Sequence, residues 1–387
     1  MNFDDARMSA NRDYRLSTRR VRCMYQKVIM VADYAAYYTG NFMESLAALE
    51  EALGERSVSV EYILPEGAPL ERWGDFSKKH DIHTCVFEPQ EIARIVSSMT
   101  GESSCIVHCH FVGPRIVAAI KKVMRGSNCP IVVHEHMRCD WDMKRPKGLL
   151  KKFFWQRVLS DCYVIAVSSA VEGDVRAILG GRRYSLVENA VSTERLDRLD
   201  ANLSGSYDSL RDVVIFGTHF ERKGVDIALK AVEECENNLR LVVLTHDENL
   251  AIQMLDACDA NWRERCEVRH VVQNPADVYR ACLCFASPSR SEAFGYAVAE
   301  AAYCGCQVVA SDIPGQNDMK DIPGISWVPM EDVRALSSAF DKCAERARSE
   351  SAELKGQGST AREYVREHYG LSAWVDGVLK VYAGLES

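Results

Sequence analysis

Residues 283–315 read LCFASPSRSEAFGYAVAEAAYCGCQVVASDIPG, and their changes of rhythm decide the fold. An apolar run at 283–286 breaks at Pro288 into a serine-rich loop, and a helical pattern follows at 296–304. Gly305 stops that pattern, and a second apolar run rises at 307–310. Strand, helix and strand in that order form a βαβ unit, with parallel strands covered by helices.

The alternation extends outward in both directions. Apolar, β-branched runs fall at 27–32, 57–64, 84–87, 104–108, 130–134, 163–167 and 184–187, and again at 212–216, 239–244 and 267–272. Helical patterns lie between them at 42–53, 115–125, 170–179 and 225–234. Val213-Val214-Ile215-Phe216 is apolar without alternation, as a strand buried on both faces should be. The series breaks at residues 197–211 (DRLDANLSGSYDSLR), which are polar and carry Ser204-Gly205-Ser206 at their centre. The expected fold is α/β: two Rossmann-like, doubly wound parallel-sheet domains, 25–200 and 201–370, facing a cleft. Residues 371–387 should form a helix that packs back on the first domain, and residues 1–24 a disordered tail. Ligands in such folds bind outside the carboxyl ends of the strands.

Composition narrows the class. The chain has 387 residues, 47% hydrophobic and 26% charged, which excludes disorder and collagen-like structure for most of it. A formal net charge of -8 argues against bulk nucleic-acid affinity. No apolar run approaches the roughly 20 residues of a membrane span, and charges stand where a signal peptide would need an apolar stretch. The 15 cysteines are odd in number and form no CxxC pair. Several of them, Cys85, Cys109, Cys162 and Cys284, sit in apolar runs, so buried free thiols and a cytoplasmic location are expected.

Within 287–315, Gly295 lets backbone amides approach a ligand, and the helix start after it suits a phosphate or diphosphate. Glu292 sits at the mouth of that anion site and Glu300 deeper on the same element, so two carboxylates can grip two sets of hydroxyls. Taken alone, the pair is equally well read as a cap and a solvated helix residue.

The whole segment resembles the signature of family 4 retaining glycosyltransferases of the GT-B fold: PS-x-x-E-x-FG, the E-x7-E pair Glu292 and Glu300, and CG-x-x-VV-x-S-x-x-x-G. The resemblance implies that Glu292 and the amides of Phe294-Gly295-Tyr296 hold the donor sugar, and that Glu300 holds the nucleotide ribose. Residues 213–231 (VVIFGTHFERKGVDIALKA) resemble the family's Gly-Arg…Lys-Gly segment, whose cations clamp the diphosphate. Gly217 and Lys223-Gly224 match it; Thr218 stands where the family has Arg, leaving Arg222 as the second cation. A plain Arg-Lys pair at a helix start is disfavoured, because cations there oppose the dipole.

The first half resembles the family more loosely. Gly40 stands in a loop where relatives carry two glycines, and residues 104–111 (SCIVHCHF) resemble the family's H-x-H strand. Residues 130–137 (PIVVHEHM) resemble the strand whose final histidine, here His136, lies near the reacting sugar; His110 falls to the acceptor side of the cleft. The implied protein is a metal-independent, retaining hexosyltransferase. It needs no cofactor: it takes a nucleotide-diphospho sugar as donor and a saccharide or polyprenyl-linked saccharide as acceptor, in capsule or exopolysaccharide assembly. The pairs His108/His110 and His134/His136 invite a metal reading, but no carboxylate or thiol spacing completes a site. A basic aromatic stretch from Lys144 to Arg157 (KRPKGLLKKFFWQR) reads either as a helix resting on the anionic inner face of a membrane or as a solvated one. A nucleotide-sugar epimerase of the same architecture and a non-catalytic nucleotide-sugar-binding protein are the competing functions.

Overall fold

A computed structural model describes residues 25–101, 104–139, 145–180, 183–198, 207–349 and 351–385, without the side chains of 351–355. The expected tail at 1–24 lies outside the described residues, as do 199–206, where the expected domain boundary falls.

The strands form two parallel sheets. The first contains β1 (Lys27–Ala32), β2 (Ser59–Pro65), β3 (Asp81–Cys85), β4 (Cys105–His110), β5 (Ile131–Glu135), β6 (Tyr163–Ala166) and β7 (Tyr184–Leu186), in the order β3-β2-β1-β4-β5-β6-β7. The second contains β8 (Asp212–Phe216), β9 (Arg240–Thr245), β10 (Cys266–His270), β11 (Cys284–Ser287), β12 (Gln307–Ser311) and β13 (Ile325–Val328), in the order β10-β9-β8-β11-β12-β13. Each order reverses at its middle, between β1 and β4 and between β8 and β11. Loops at such a point leave a crevice beyond the strand ends.

The chain divides into two compact units, Met1–Ala190 with Leu371–Ser387, and Val191–Gly370. The closing helix, Leu371–Gly384, buries Trp374, Val378 and Tyr382 in the first unit's core beside Val28, Leu46 and Tyr62. Each such large side chain contributes about 1.5–3 kcal/mol by leaving water. Gly377 makes the close approach possible: a Cβ there would stand 2.7 Å from Val187 Cγ1. In the second unit Val213, Ile215, Leu241, Val243 and Ala286 line the sheet beneath the helices Val225–Glu234 and Val333–Ser349.

Among the described residues every cysteine is free, and Cys85, Cys109, Cys162 and Cys284 are buried. No described helix is long and apolar enough to cross a membrane.

Candidate functional site

In the second unit the two motif segments are locked together. β8 ends at Phe216, and Gly217 donates its N–H to Leu244 O at 2.7 Å. A Cβ on Gly217 would lie 2.5 Å from Val243 Cγ1, so only glycine fits there. The chain then passes exposed Thr218 and left-handed His219 (φ +60°) into a short helix, Phe220–Lys223. Arg222 and Lys223 lie in the last turn of this four-residue helix and directly ahead of the helix Val225–Glu234, whose N-cap is Gly224. Ahead of that longer helix the two cations oppose its dipole, as expected from the sequence.

Gly224 (φ +72°) ends that turn against the loop after β11, where an added Cβ would meet Pro288 O at 2.1 Å. Arg290 donates its backbone N–H to Arg222 O at 2.8 Å, and its guanidinium grips Asp226 through two 2.9 Å hydrogen bonds. A third loop closes over Glu292: a Cβ on Gly315 would stand 2.0 Å from Glu292 O.

These contacts bring Glu292 to the two cations. Lys223 Nζ lies 2.6 Å from Glu292 Oε1, and Arg222 donates to Oε2 at 3.2 Å. Ser289 Oγ donates to Oε1 at 2.9 Å. Glu292 is only 7% exposed, and burial would raise its pKa; Lys223 and Arg222 override burial and hold it below the ordinary carboxylate value. Gly295 (φ +83°) follows, and the helix Tyr296–Tyr303 begins directly after it. Phe294 is buried beneath this turn and Tyr296 packs edge-on against it, ring centroids 5.2 Å apart. Fully buried Gln316 donates to Ser287 Oγ at 2.7 Å and braces the loop.

Glu300 is placed differently. Its carboxylate forms a short ion pair with Arg195 and accepts a 3.1 Å hydrogen bond from Tyr279 OH. Arg195, Tyr279, Ser289 and Gln316 were not singled out from the sequence. The Arg195–Glu300 contact spans 105 residues of chain, and no local spacing announces it.

In the first unit, Gly40 (φ +58°) opens the helix Gly40–Gly54, with Tyr34 Oη 3.5 Å from where its Cβ would be. The histidines share one face of the sheet: His110 and His134 are register partners on β4 and β5, and His108 precedes His110 by two residues. His136 stands just beyond β5, 8% exposed, stacked on Phe111 at 4.2 Å between ring centroids. His110 is fully buried beneath it, Nδ1 3.1 Å from His136 Nε2, so it supports His136 rather than facing an acceptor. Burial pushes His108, His110 and His136 well below the usual histidine pKa, and His134 down to about 3. Residues Phe111 (φ +58°) and His219 take left-handed conformations just past the ends of the central strands β4 and β8. Such strain concentrates at functional loops.

The fold defines a class first: two parallel-sheet α/β domains of the GT-B glycosyltransferase type. The chain is similar to a glycosyltransferase from Rickettsia africae, with a TM-score of 0.76 over 94% of this chain and 99% of that one, at 14% identity. It is also similar to Anabaena HepE in complex with UDP-glucose, with a TM-score of 0.71 over 92% and 98% of the two chains, again at 14% identity. More particularly, residues 211–346 match the family model described as "Glycosyl transferases group 1". That stretch carries Gly217 through Lys223 and Glu292 through Glu300. A D-inositol 3-phosphate glycosyltransferase from Xylanimonas cellulosilytica is 35% identical over 111 residues, 27% of this chain and 27% of that relative. The aligned stretch thus spans about a quarter of the relative's length.

Proposed function

We propose that the protein is a family 4 retaining glycosyltransferase. It moves a hexosyl unit from a nucleotide-diphospho sugar to a saccharide or lipid-linked saccharide hydroxyl, without a metal in the transfer step. The observation that carries this reading is the convergence of Lys223 and Arg222 on Glu292 beside the helix start at Gly295.

A departing nucleoside diphosphate gains negative charge as the glycosidic bond breaks. Fixed cations and helix-start amides beside it lower the barrier most, because they are in place before the charge develops. Lys223 offers three donors and Arg222 five, so each can keep its bond to Glu292 and still hold a phosphate oxygen. Glu292 stays ionised at neutral pH and accepts from sugar hydroxyls. The backbone turn at Phe294-Gly295-Tyr296 approaches the sugar or diphosphate. Glu300 takes the ribose hydroxyls, in exchange for or alongside Arg195. His136, neutral and nearly buried, contacts the sugar near its anomeric carbon. No side chain near Glu292 supplies a separate nucleophile in this reading; the leaving phosphate itself takes the acceptor proton on the same face, so configuration is retained.

The acceptor side of the proposal is a polyprenyl-linked saccharide of capsule or exopolysaccharide assembly, reached at the inner face of a membrane from the cytoplasm. The helix Pro146–Leu159 supports it: Leu149, Leu150, Phe153 and Phe154 are all exposed among its basic residues.

The test is product analysis. Incubation with UDP-, GDP-, ADP- and TDP-sugars, with and without a saccharide acceptor, should give transfer with one donor class and an axial product from an axial donor by NMR. An inverted linkage would remove the retaining assignment. Epimerised donor without acceptor, or binding with no turnover, would instead identify one of the two competing functions.

A further inference from the structure

Four ring nitrogens on the covered face of the first sheet have no hydrogen-bond partner among the described residues: His108 Nε2, His110 Nε2, and both nitrogens of His134. The three side chains are 0%, 0% and 1% exposed. Nitrogen atoms from the three lie within 4.8 Å of one another. Helix packing seals them in, with Trp374 stacked on His134 at 5.9 Å between centroids and Phe42 edge-on to His110 at 5.1 Å.

The remaining nitrogens are held from behind. His108 Nδ1 is 2.7 Å from Tyr382 OH, and His110 Nδ1 is 3.1 Å from His136 Nε2. With the protons on Nδ1, donated outward to Tyr382 and His136, both Nε2 atoms keep a lone pair with no donor to meet it, within a group whose nitrogens lie no more than 4.8 Å apart. Metal-ligating histidines are oriented in this way by a second hydrogen bond on the far side of the ring. Hydrophobic packing gives no reason for the cluster, since buried imidazole nitrogens without partners cost free energy that Leu or Phe would not.

We propose that His108, His110 and His134 bind one late first-row divalent cation of the zinc type. Three neutral imidazoles suit such an ion, and a hydroxide in the fourth position offsets part of its charge. Cys109, between two of the ligands on β4, points to the other face and takes no part. The ion ties β4 to β5 behind the strand ends and, through His110, sets the orientation of His136. It lies in the first unit, whereas the cations proposed to meet the donor diphosphate lie in the second, so metal content is read without the transfer reaction, and only the orientation of His136 touches that reading.

The experiment uses the full chain purified without a histidine tag. After equilibration with Zn²⁺ or Co²⁺ and exhaustive dialysis, metal content is measured by elemental analysis, with thermal melting and the Co²⁺ visible spectrum alongside. A second candidate group, Glu61, Asp81 and His83, supplies the control because it is half-buried to exposed. The expectation is about one equivalent of metal in wild type and in His83→Gln, a raised melting temperature with metal, and loss of the ion in His134→Gln. Wild type retaining almost no metal, or a His134→Gln variant retaining it, would overturn the proposal. So would loss of the ion in His83→Gln. If His134→Gln does not fold, wild type and His83→Gln decide: one equivalent in both with a nitrogen-rich, low-coordinate Co²⁺ spectrum supports the site, and any other pattern rejects it.

Discussion

Glu292 and Lys223 form a partly buried ion pair whose value lies in its state before the donor arrives. Removing Lys223 leaves the carboxylate with Arg222 and Ser289 alone; removing Glu292 leaves Lys223 without its nearest partner. Glu292→Ala and Lys223→Ala should each cost on the order of 2–4 kcal/mol in kcat/KM while circular dichroism stays native. Wild-type turnover in either variant would remove these residues from the mechanism. Thr218→Arg tests the neighbouring departure: Thr218 is exposed, so a guanidinium there has room, and donor affinity should hold or improve by isothermal titration. The pH dependence follows from the depressed carboxyl. A folded-state pKa below the unfolded one contributes stability above the unfolded value and loses it as pH falls through the folded value. Urea midpoints of wild type and Glu292→Gln should therefore differ more at pH 7 than at pH 3. Glu292, Gly295 and Glu300 were legible because they share one loop and one helix, where spacing along the chain is spacing in space. Arg195 was not, because its partnership with Glu300 exists only once the second sheet has brought the two together.

Strands and helices were legible in proportion to their burial. Central strands such as β1 and β8 stand where their apolar runs lie, Lys27–Ala32 and Asp212–Phe216. Of the edge strands, β7 and β10 stand on the expected runs at 184–187 and 267–272, whereas β3 and β13 do not announce themselves. β3 starts at Asp81, three residues before the apolar run at 84–87, because most of its side chains are exposed and hydrophobicity cannot mark it. β13, at the other sheet's edge, has four residues, three of them half-buried, too short a run for hydrophobicity to mark. On β4 and β5 the histidines share one face, and depth separates them by role: His108 is fully buried, whereas His136 stands beyond the strand end at 8% exposure. His108→Ala removes the Tyr382 hydrogen bond in a buried place and should lower stability by about 1–3 kcal/mol, seen in chemical denaturation. His136→Ala should instead depress transfer sharply with less effect on folding; the opposite ranking would mean that the wrong strand was aligned. Glu135 faces away from the histidines, and burial, with Asp174 adding, pushes its carboxyl up to about 7. A raised folded-state pKa contributes stability at pH below the unfolded value, near 4.5, and loses it as pH rises through about 7. Between pH 5 and pH 8 wild type should therefore lose stability that Glu135→Gln keeps.

The whole chain carries a formal net charge of -8, so attraction to an anionic bilayer can come only from a local surface. The helix Pro146–Leu159 is such a surface. Lys147, Lys151, Lys152 and Arg157 lie on it, and Leu149, Leu150 and Phe153 are 54%, 69% and 65% exposed. Three large apolar side chains that open to water are costly on a solvated helix, and they fit shallow burial among lipid headgroups. Each basic residue near an anionic leaflet contributes about 1 kcal/mol, so four supply roughly 4 kcal/mol, enough for reversible, salt-sensitive attachment. Net repulsion from the rest of the chain is screened beyond about 8 Å at physiological ionic strength, which leaves the local patch in control. Cosedimentation with anionic and neutral vesicles at low and high salt should show wild type pelleting only with anionic lipid at low salt. A Lys147/Lys151/Lys152→Glu variant should stay in solution. A Leu149/Phe153→Ser variant should pellet more weakly but keep the salt dependence, because it removes burial and leaves charge. Equal pelleting of wild type and the charge-reversed variant, or no preference for anionic lipid, would make the stretch a solvated helix. The acceptor would then be a soluble saccharide, and transfer should proceed without vesicles at an undiminished rate.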